Sequence, residues 1–471
     1  MSMTQLETTQ TVKVQGQTKR PFGLRDKFGY LLGDCGNDFF FLLVSSYLMI
    51  FYTDVFHINA AAVGVIFFIA RLWDGFADVA WGRYIDSRGT TKHGKFKPWI
   101  LRMSLPLVVT GILMFVHIPG MSNGFYLAWA FVTYIVWGTL YSTVSIPYGS
   151  MASVITNDPV ERTTLSTWRT TGSMLAGILI GVLAPLIIFV DNKLDANRLF
   201  MTAVIFAVIA IACYFACFKL TTERVVVQST EKKKGNFGRS FKHLMKNKPF
   251  IWVVTSMLIV TVSSLLVNTV NTYLFKEYFS NTEALSLVGL VQIATMIVAV
   301  PLVKPLVKRF GKKEISAAGL LISALTYLLL FFLKDLTAIQ FILISSVSMF
   351  SFSFFGLTSW AFITDVIDYH EYSTGLREDA TVFSFTAMTR KVGQALAGGI
   401  GGFAIALVGY DATLDVQTEA SLSGIYSLST LVPGIMYFMI FILLGVFYPL
   451  NKQRTNQLAI DLAEKRKLEQ Q

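Results

Sequence analysis

The sequence predicts an all-α integral membrane protein with twelve transmembrane helices in two six-helix bundles, and three observations predict it. The 471 residues are 54% hydrophobic and 15% charged, with a mean hydropathy of +0.56, so lipid must be the solvent for most of the chain. Twelve apolar stretches approach the roughly 20 residues that cross a bilayer. Lys and Arg crowd alternate connecting segments, which orients the chain by the positive-inside rule.

The stretches run at about 38–58, 60–81, 98–118, 124–147, 166–190 and 198–218, then 250–275, 283–307, 315–333, 337–363, 380–409 and 422–449. They are too long and continuous for barrel strands, and helices satisfy their own backbone in hydrocarbon. The longest polar interruption divides them six and six. This gives a flexible cytoplasmic N-terminal tail (1–23), an N-terminal bundle (24–218), a central cytoplasmic loop (219–249), a C-terminal bundle (250–450) and a cytoplasmic tail (451–471). No signal-peptide core is expected in the polar first 20 residues.

Basic residues gather at Lys19–Lys27, Arg83–Lys97, Lys232–Lys248, Lys304–Lys313 and Lys452–Lys467, against Lys193, Arg198, Lys276 and Lys334 on the opposite side. Both termini are therefore expected in the cytoplasm. The net charge of +11 reads as an orientation signal, so no nucleic-acid partner is expected. Cys35, Cys213 and Cys217 read as packing thiols. The loop GRYIDSRGTTKHGKFKP (82–98) has a shorter counterpart, KPLVKRFGKKE (304–314), at the equivalent place in the second half. Such a repeated basic turn points to parallel duplication.

An ionisable group at mid-bilayer costs on the order of 3 kcal/mol or more, so each one is a functional candidate. Asp34 and Asp38 form one stripe near the start of the first span; Arg71, Asp74 and Asp78 form another on the second. Paired carboxylates can neutralise a small cation or share a proton, although Arg71 could simply compensate one of them. Ser142, Ser145 and Gly149 share a face of the fourth span, and Arg169 sits in a polar stripe of the fifth. Ser264, Asn268 and Asn271 line up on the seventh, as do Ser384, Lys391 and Gln394 on the eleventh. Asp365, Asp368 and Glu371, followed by Arg377, end the tenth span, where they could form a gate with Arg162 or the 83–97 loop, or a solvated charge cluster.

ARLWDGFADVAWG (70–82), HGKFKPWIL (93–101), SIPYGSM (145–151) and ITDVIDYHEY (363–372) resemble the glycoside–pentoside–hexuronide cation symporters of the major facilitator superfamily, the family of melibiose permease, across residues 24–450. The resemblance implies a multi-pass cell-membrane protein that moves a sugar or glycoside into the cell with a cation by alternating access. It implies a cation site at Asp74, Asp78, Ser142 and Ser145, and a substrate site at Asp38, Ser145, Gly149, Arg169, Asn268 and Lys391. Lys391 would then pair with Asp74 or Asp78 when no cation is bound; otherwise it snorkels to the interface beside Arg390. Melibiose permease has a carboxylate where this chain has Ser145 and Trp where it has Gly149. The first change favours H⁺ over Na⁺ as coupling ion, and any metal would be Na⁺ at Asp74 and Asp78. The second implies a differently shaped pocket, unless Gly149 merely allows close helix packing.

The expected partners are thus the sugar, the coupling cation and membrane lipid, with no cofactor and no obligate protein partner. An enzyme is disfavoured because HExxH, GxSxG, Walker and dinucleotide motifs are absent. A lipid carrier on a related scaffold, or a sugar sensor without transport, are the other readings.

Overall fold

The computed structural model describes residues 20–469 except 92, 157, 226–243, 376–378 and 415. Most of the predicted N-terminal tail and central loop, and the gate residue Arg377, lie outside the described residues.

Among the described residues the regular structure is helical apart from a two-stranded hairpin, β1 (Phe189–Val190) with β2 (Lys193–Leu194). The first six helices are α1 (Leu24–Asp54), α2 (Ala60–Ser87), α3 (Lys97–Leu113), α4 (Asn123–Ile155), α5 from Pro159 to Ile188, and α6 (Ala196–Leu220). After them come α7 (Lys248–Tyr278), α8 (Ala284–Phe310), α9 (Lys312–Phe332), α10 (Ala338–Thr374), α11 (Asp379–Leu407), α12 (Glu419–Phe447) and α13 (Lys452–Glu469). Among the described residues, ten of these thirteen helices are long and apolar enough to cross a membrane.

Side-chain caps set where these helices begin. Asn59, Ser122, Asp195, Asn247, Thr337 and Thr418 each accept from a backbone N–H in the first turn of α2, α4, α6, α7, α10 and α12. The first helix starts at Leu24, not near residue 38, so Asp34 and Asp38 sit well inside it. Their carboxylates depress the local hydropathy, while packing against α5 and α6 keeps the segment helical. Four π turns, at Val44–Leu48, Leu179–Leu183, Leu274–Tyr278 and Ile442–Phe447, re-aim the side chains near one end of α1, α5, α7 and α12.

Helix neighbours repeat with the numbering raised by six. The pairs α1/α5, α1/α6, α2/α4, α3/α4 and α3/α6 recur as α7/α11, α7/α12, α8/α10, α9/α10 and α9/α12. Between these two sets, α2 packs along α11, α8 meets the π turn of α5, and α7 meets the π turn of α1. The α2/α11 contact is made by glycines: a Cβ on Gly64 would lie 2.8 Å from the Gly399 carbonyl oxygen, and one on Gly402 would lie 2.5 Å from Gly64 Cα. Only bare backbones fit this crossing.

Basic connections are tied down by carboxylates. Glu223, just beyond α6, accepts from the backbone N–H groups of Lys95, Phe96 and Lys97 at 2.6, 2.9 and 2.8 Å, which places an anion on the N-terminus of α3. Asp26, fully buried, pairs with Arg20 at 3.0 Å and with Arg224 at 2.8 Å.

Candidate substrate and ion cavity

A cavity of about 470 Å³ lies between α1, α2, α4, α5 and α11, and it gathers most of the residues the sequence singles out. Asp38, Asp74, Asp78, Ser142, Ser145, Gly149, Arg169 and Lys391 all line it. Asn268 does not: it lines a separate cavity of about 220 Å³ in the second half, with Ser264 and Asn271. The side chain of Ser384 is outside the described residues.

Each carboxylate meets a specific partner. Arg169 donates through Nε to Asp34 Oδ1 at 2.9 Å, so its ion pair is with Asp34 and not with Asp38. Its guanidinium lies 5.4 Å from the centre of the Tyr148 ring, which stacks on Tyr30 at 4.7 Å. Asp38 instead accepts from the Ser173 hydroxyl, four residues along α5. The two arrangements leave one carboxylate charge-neutralised and the other held by a neutral donor.

On α2, Arg71 donates to Asp74 Oδ2 at 3.3 Å while facing the rings of Phe41, Tyr134 and Trp137 at 5.6, 5.7 and 5.9 Å. Three aromatic faces explain how a guanidinium is held in an apolar setting. The other oxygen, Asp74 Oδ1, is buried without a hydrogen-bond partner among the described residues. It occupies space that a side chain at position 138 would fill, since a Cβ on Gly138 would overlap that carboxylate. Ser142 donates to the Gly138 carbonyl at 3.2 Å, and Ser145 makes no hydrogen bond to the described residues. Asp78 is in ion-pair contact with Lys391 of α11. Lys391 therefore bridges α2 and α11 and does not snorkel away.

Among the described residues, no group of three His, Cys, Asp or Glu side chains could hold a metal. Asp78 is thus paired to Lys391 and one oxygen of Asp74 to Arg71. Gly149 is exposed on the cavity wall, with no atom within 4 Å of where a Cβ would stand, so it opens space and is not a packing contact.

Two features were not singled out from the sequence. Arg390 lines the same cavity and forms no ion pair among the described residues, its charge acting on Asp38 at longer range. At one end of the molecule, Asp54 closes α1 against the second half. Lys276 pairs with Asp54 at 2.7 Å, Tyr410 donates to Asp54 at 2.7 Å, and Thr53 meets the Tyr273 hydroxyl at 3.0 Å. Beside them the Asn192 side chain accepts from the Thr282 N–H at 2.9 Å and donates to the Ser280 carbonyl.

At the opposite end the described contacts of Arg162 and Asp365 run within each half. Arg162 donates to the carbonyls of Thr156 and Ser153 at 2.9 and 3.2 Å, within its own half. Asp365 pairs with Lys312, also within its own half, and Asp368 follows one turn along α10.

Residues 29–452 match the MFS/sugar transport protein family. The chain is 33% identical over 446 residues to the isoprimeverose transporter of Lactiplantibacillus pentosus, covering 93% of this chain and 91% of that protein. It is 31% identical over 451 residues to a glucuronide carrier protein homolog of Escherichia coli (strain K12), covering 94% and 96%. The fold resembles that of a bacterial homologue of the lysosomal transporter Spinster, with a TM-score of 0.64 at 12% identity over 93% of this chain and 97% of that one. The chain is thus a multi-pass membrane transporter and not an enzyme, and it belongs to the MFS/sugar transport family, the glycoside–pentoside–hexuronide branch of the major facilitator superfamily.

Proposed function

We propose that this protein carries a sugar or glycoside into the cell together with a proton, by rocking two six-helix bundles, residues 24–218 and 250–450, around the charged cavity. Both termini are cytoplasmic in this reading, and twelve helices cross the membrane. The observation that carries it is the Asp78–Lys391 ion pair, which joins α2 to α11 beside Asp74 and its unpartnered oxygen. Protonation of this carboxylate pair frees Lys391 and loosens the contact between the bundles. Sugar hydroxyls then engage Asp38, Ser145, Arg169 and Lys391, whose donors and acceptors face the same space. Each ligand raises affinity for the other by the same factor. Arg162, Asp365, Asp368 and Arg377 serve the gate at the cytoplasmic end.

Four carboxylates (Asp34, Asp38, Asp74, Asp78) face four cationic side chains (Arg71, Arg169, Arg390, Lys391) in the cavity, a balance that favours a neutral glycoside. Arg390, which has no ion pair among the described residues, supports a second reading in which a hexuronide carboxylate docks there. Counterflow in proteoliposomes against a panel of pentosides, disaccharides and hexuronides, with and without Na⁺ and across pH, tests all three points. Exchange of a glycoside that depends on pH and not on Na⁺ is expected. Exchange of no sugar overturns the substrate class, Na⁺ dependence without pH dependence overturns the proton, and exchange confined to hexuronides selects the second reading.

A further inference from the structure

A cavity of about 810 Å³, away from the charged one, lies between α8, α9, α10 and α13. Among the described residues that line it are Lys304, Lys308, Lys312 and Lys452, and no carboxylate. Two of these lysines are spent on the fold. Lys312 pairs with Asp365 and donates to the Ala361 carbonyl at 3.2 Å, and Lys452 donates to the Arg309 carbonyl at 3.0 Å. Lys304 and Lys308 are exposed and make no hydrogen bond or ion pair among the described residues. They stand one turn apart on one face of α8.

The last helix is seated as a wall of this cavity. It begins against the turn between α8 and α9, where Gly311 has a φ of +111° and a Cβ would lie 2.8 Å from Lys452 Cβ. From there α13 packs on α10 and α9, with Leu458 and Leu462 buried. Thr455 and Asn456 face the cavity.

The rest of the lining is apolar: Val300, Val303 and Val307 of α8 with Leu357 and Ala361 of α10. Since α8 ends at Phe310, these valines lead from the lysines back into the span. From Val300 to Lys308 is 8 residues, about 12 Å of helix. Ile297 and Val300 are 60% and 51% exposed on a helix apolar enough to cross a membrane, so this side opens to acyl chains.

The positive-inside rule alone accounts for lysines at a helix end. It does not require an apolar trough running from two unpaired lysines into the span. A soluble anion would use only the lysines, whereas an anion carrying acyl chains uses both parts. We infer that this cavity binds an anionic phospholipid of the adjacent leaflet, its phosphate at Lys304 and Lys308 and an acyl chain along Val300, Val303 and Leu357.

Native mass spectrometry of the full-length protein in dodecyl maltoside tests this, by titration with phosphatidylglycerol or with phosphatidylcholine of the same chains. No transport is measured, so the outcome is independent of the symport reading. The first bound lipid is expected to be phosphatidylglycerol by about thirtyfold in affinity, the effect of two basic side chains beside an anionic headgroup. Lys304→Gln with Lys308→Gln should remove most of that preference. Lys246→Gln with Lys248→Gln, exposed at the start of α7 and outside the cavity, should keep it. A wild type without preference overturns the site, and so does equal loss in the two double variants, which would reflect net charge alone. Displacement of the lipid by an equal concentration of soluble glycerophosphoglycerol overturns the role of the acyl chain.

Discussion

Lys276 and Asp54 meet at 2.7 Å although 222 positions separate them in the chain, and both are almost withdrawn from solvent, with side-chain exposures of 14% and 11%. Their contact binds the end of α1 to the end of α7, and Tyr410 adds a hydrogen bond from the segment after α11. Removing one partner of a buried pair costs about 3–5 kcal/mol, because the other charge is stranded. Lys276→Ala strands Asp54 and is therefore expected to open this end, whereas Asp54→Ala leaves Lys276 paired with Glu277 at 2.5 Å. The measurement is labelling of a Ser46→Cys reporter by a membrane-impermeant maleimide, which should rise at least tenfold. Labelling that stays slow in Lys276→Ala counts against the latch.

Coupling should fail when either carboxylate of α2 is neutralised. Asp74→Cys and Asp78→Cys are expected to abolish uphill accumulation driven by an inward proton gradient. Wild-type accumulation should grow as the outside is made more acidic. Retained uphill uptake in both variants would show that the driving cation binds elsewhere.

Gly138→Ala tests the same site without touching a charge. Its methyl group would overlap the Asp74 carboxylate, so the carboxylate must turn away from its position beside Arg71. A loss of at least tenfold in concentrative uptake is expected, with sugar counterflow less affected. Equal loss of both would mean that the substitution damages the fold generally.

Asp34 and Asp38 should prove unequal. Asp38 is held by the neutral hydroxyl of Ser173 and keeps acceptor capacity for a sugar, whereas Asp34 is matched by Arg169. Asp38→Ala is expected to lose substrate binding while the purified protein keeps its thermal melting point. Asp34→Ala leaves Arg169 without its carboxylate and should lower the melting point as well as binding. Unchanged sugar affinity in Asp38→Ala would remove it from the substrate site.

Hydropathy made the helical fold legible, and charges stranded in apolar runs marked much of the site. Asp38, Asp74, Asp78, Arg169 and Lys391 stood out because an apolar helix has no ordinary use for them, and the structure brings all five to one cavity. Gly138 was not legible, since a glycine in an apolar helix looks the same whether it meets a helix or makes room for a carboxylate. Asp54 and Lys276 were hidden for another reason. Charges at helix ends read as span boundaries, and the π turn at Leu274–Tyr278 alters the facing of Lys276 relative to a regular helix. Arg390, next to Lys391, passed as an interfacial companion because sequence spacing says nothing of which side of α11 meets water.

The glycine crossing of α2 and α11 has a mechanical consequence. From Gly64 to Asp78 is 14 residues, about 21 Å of helix at 1.5 Å per residue, and the Asp78–Lys391 pair rides near the end of that lever arm. If α2 pivots on α11 at the crossing by about 15°, the scale of known subunit rotations, the carboxylate sweeps roughly 5 Å. That travel exceeds the reach of an ion pair. A small tilt at a fulcrum with no side chains thus becomes an all-or-none event at the carboxylate, with bond breakage at the long end of the arm.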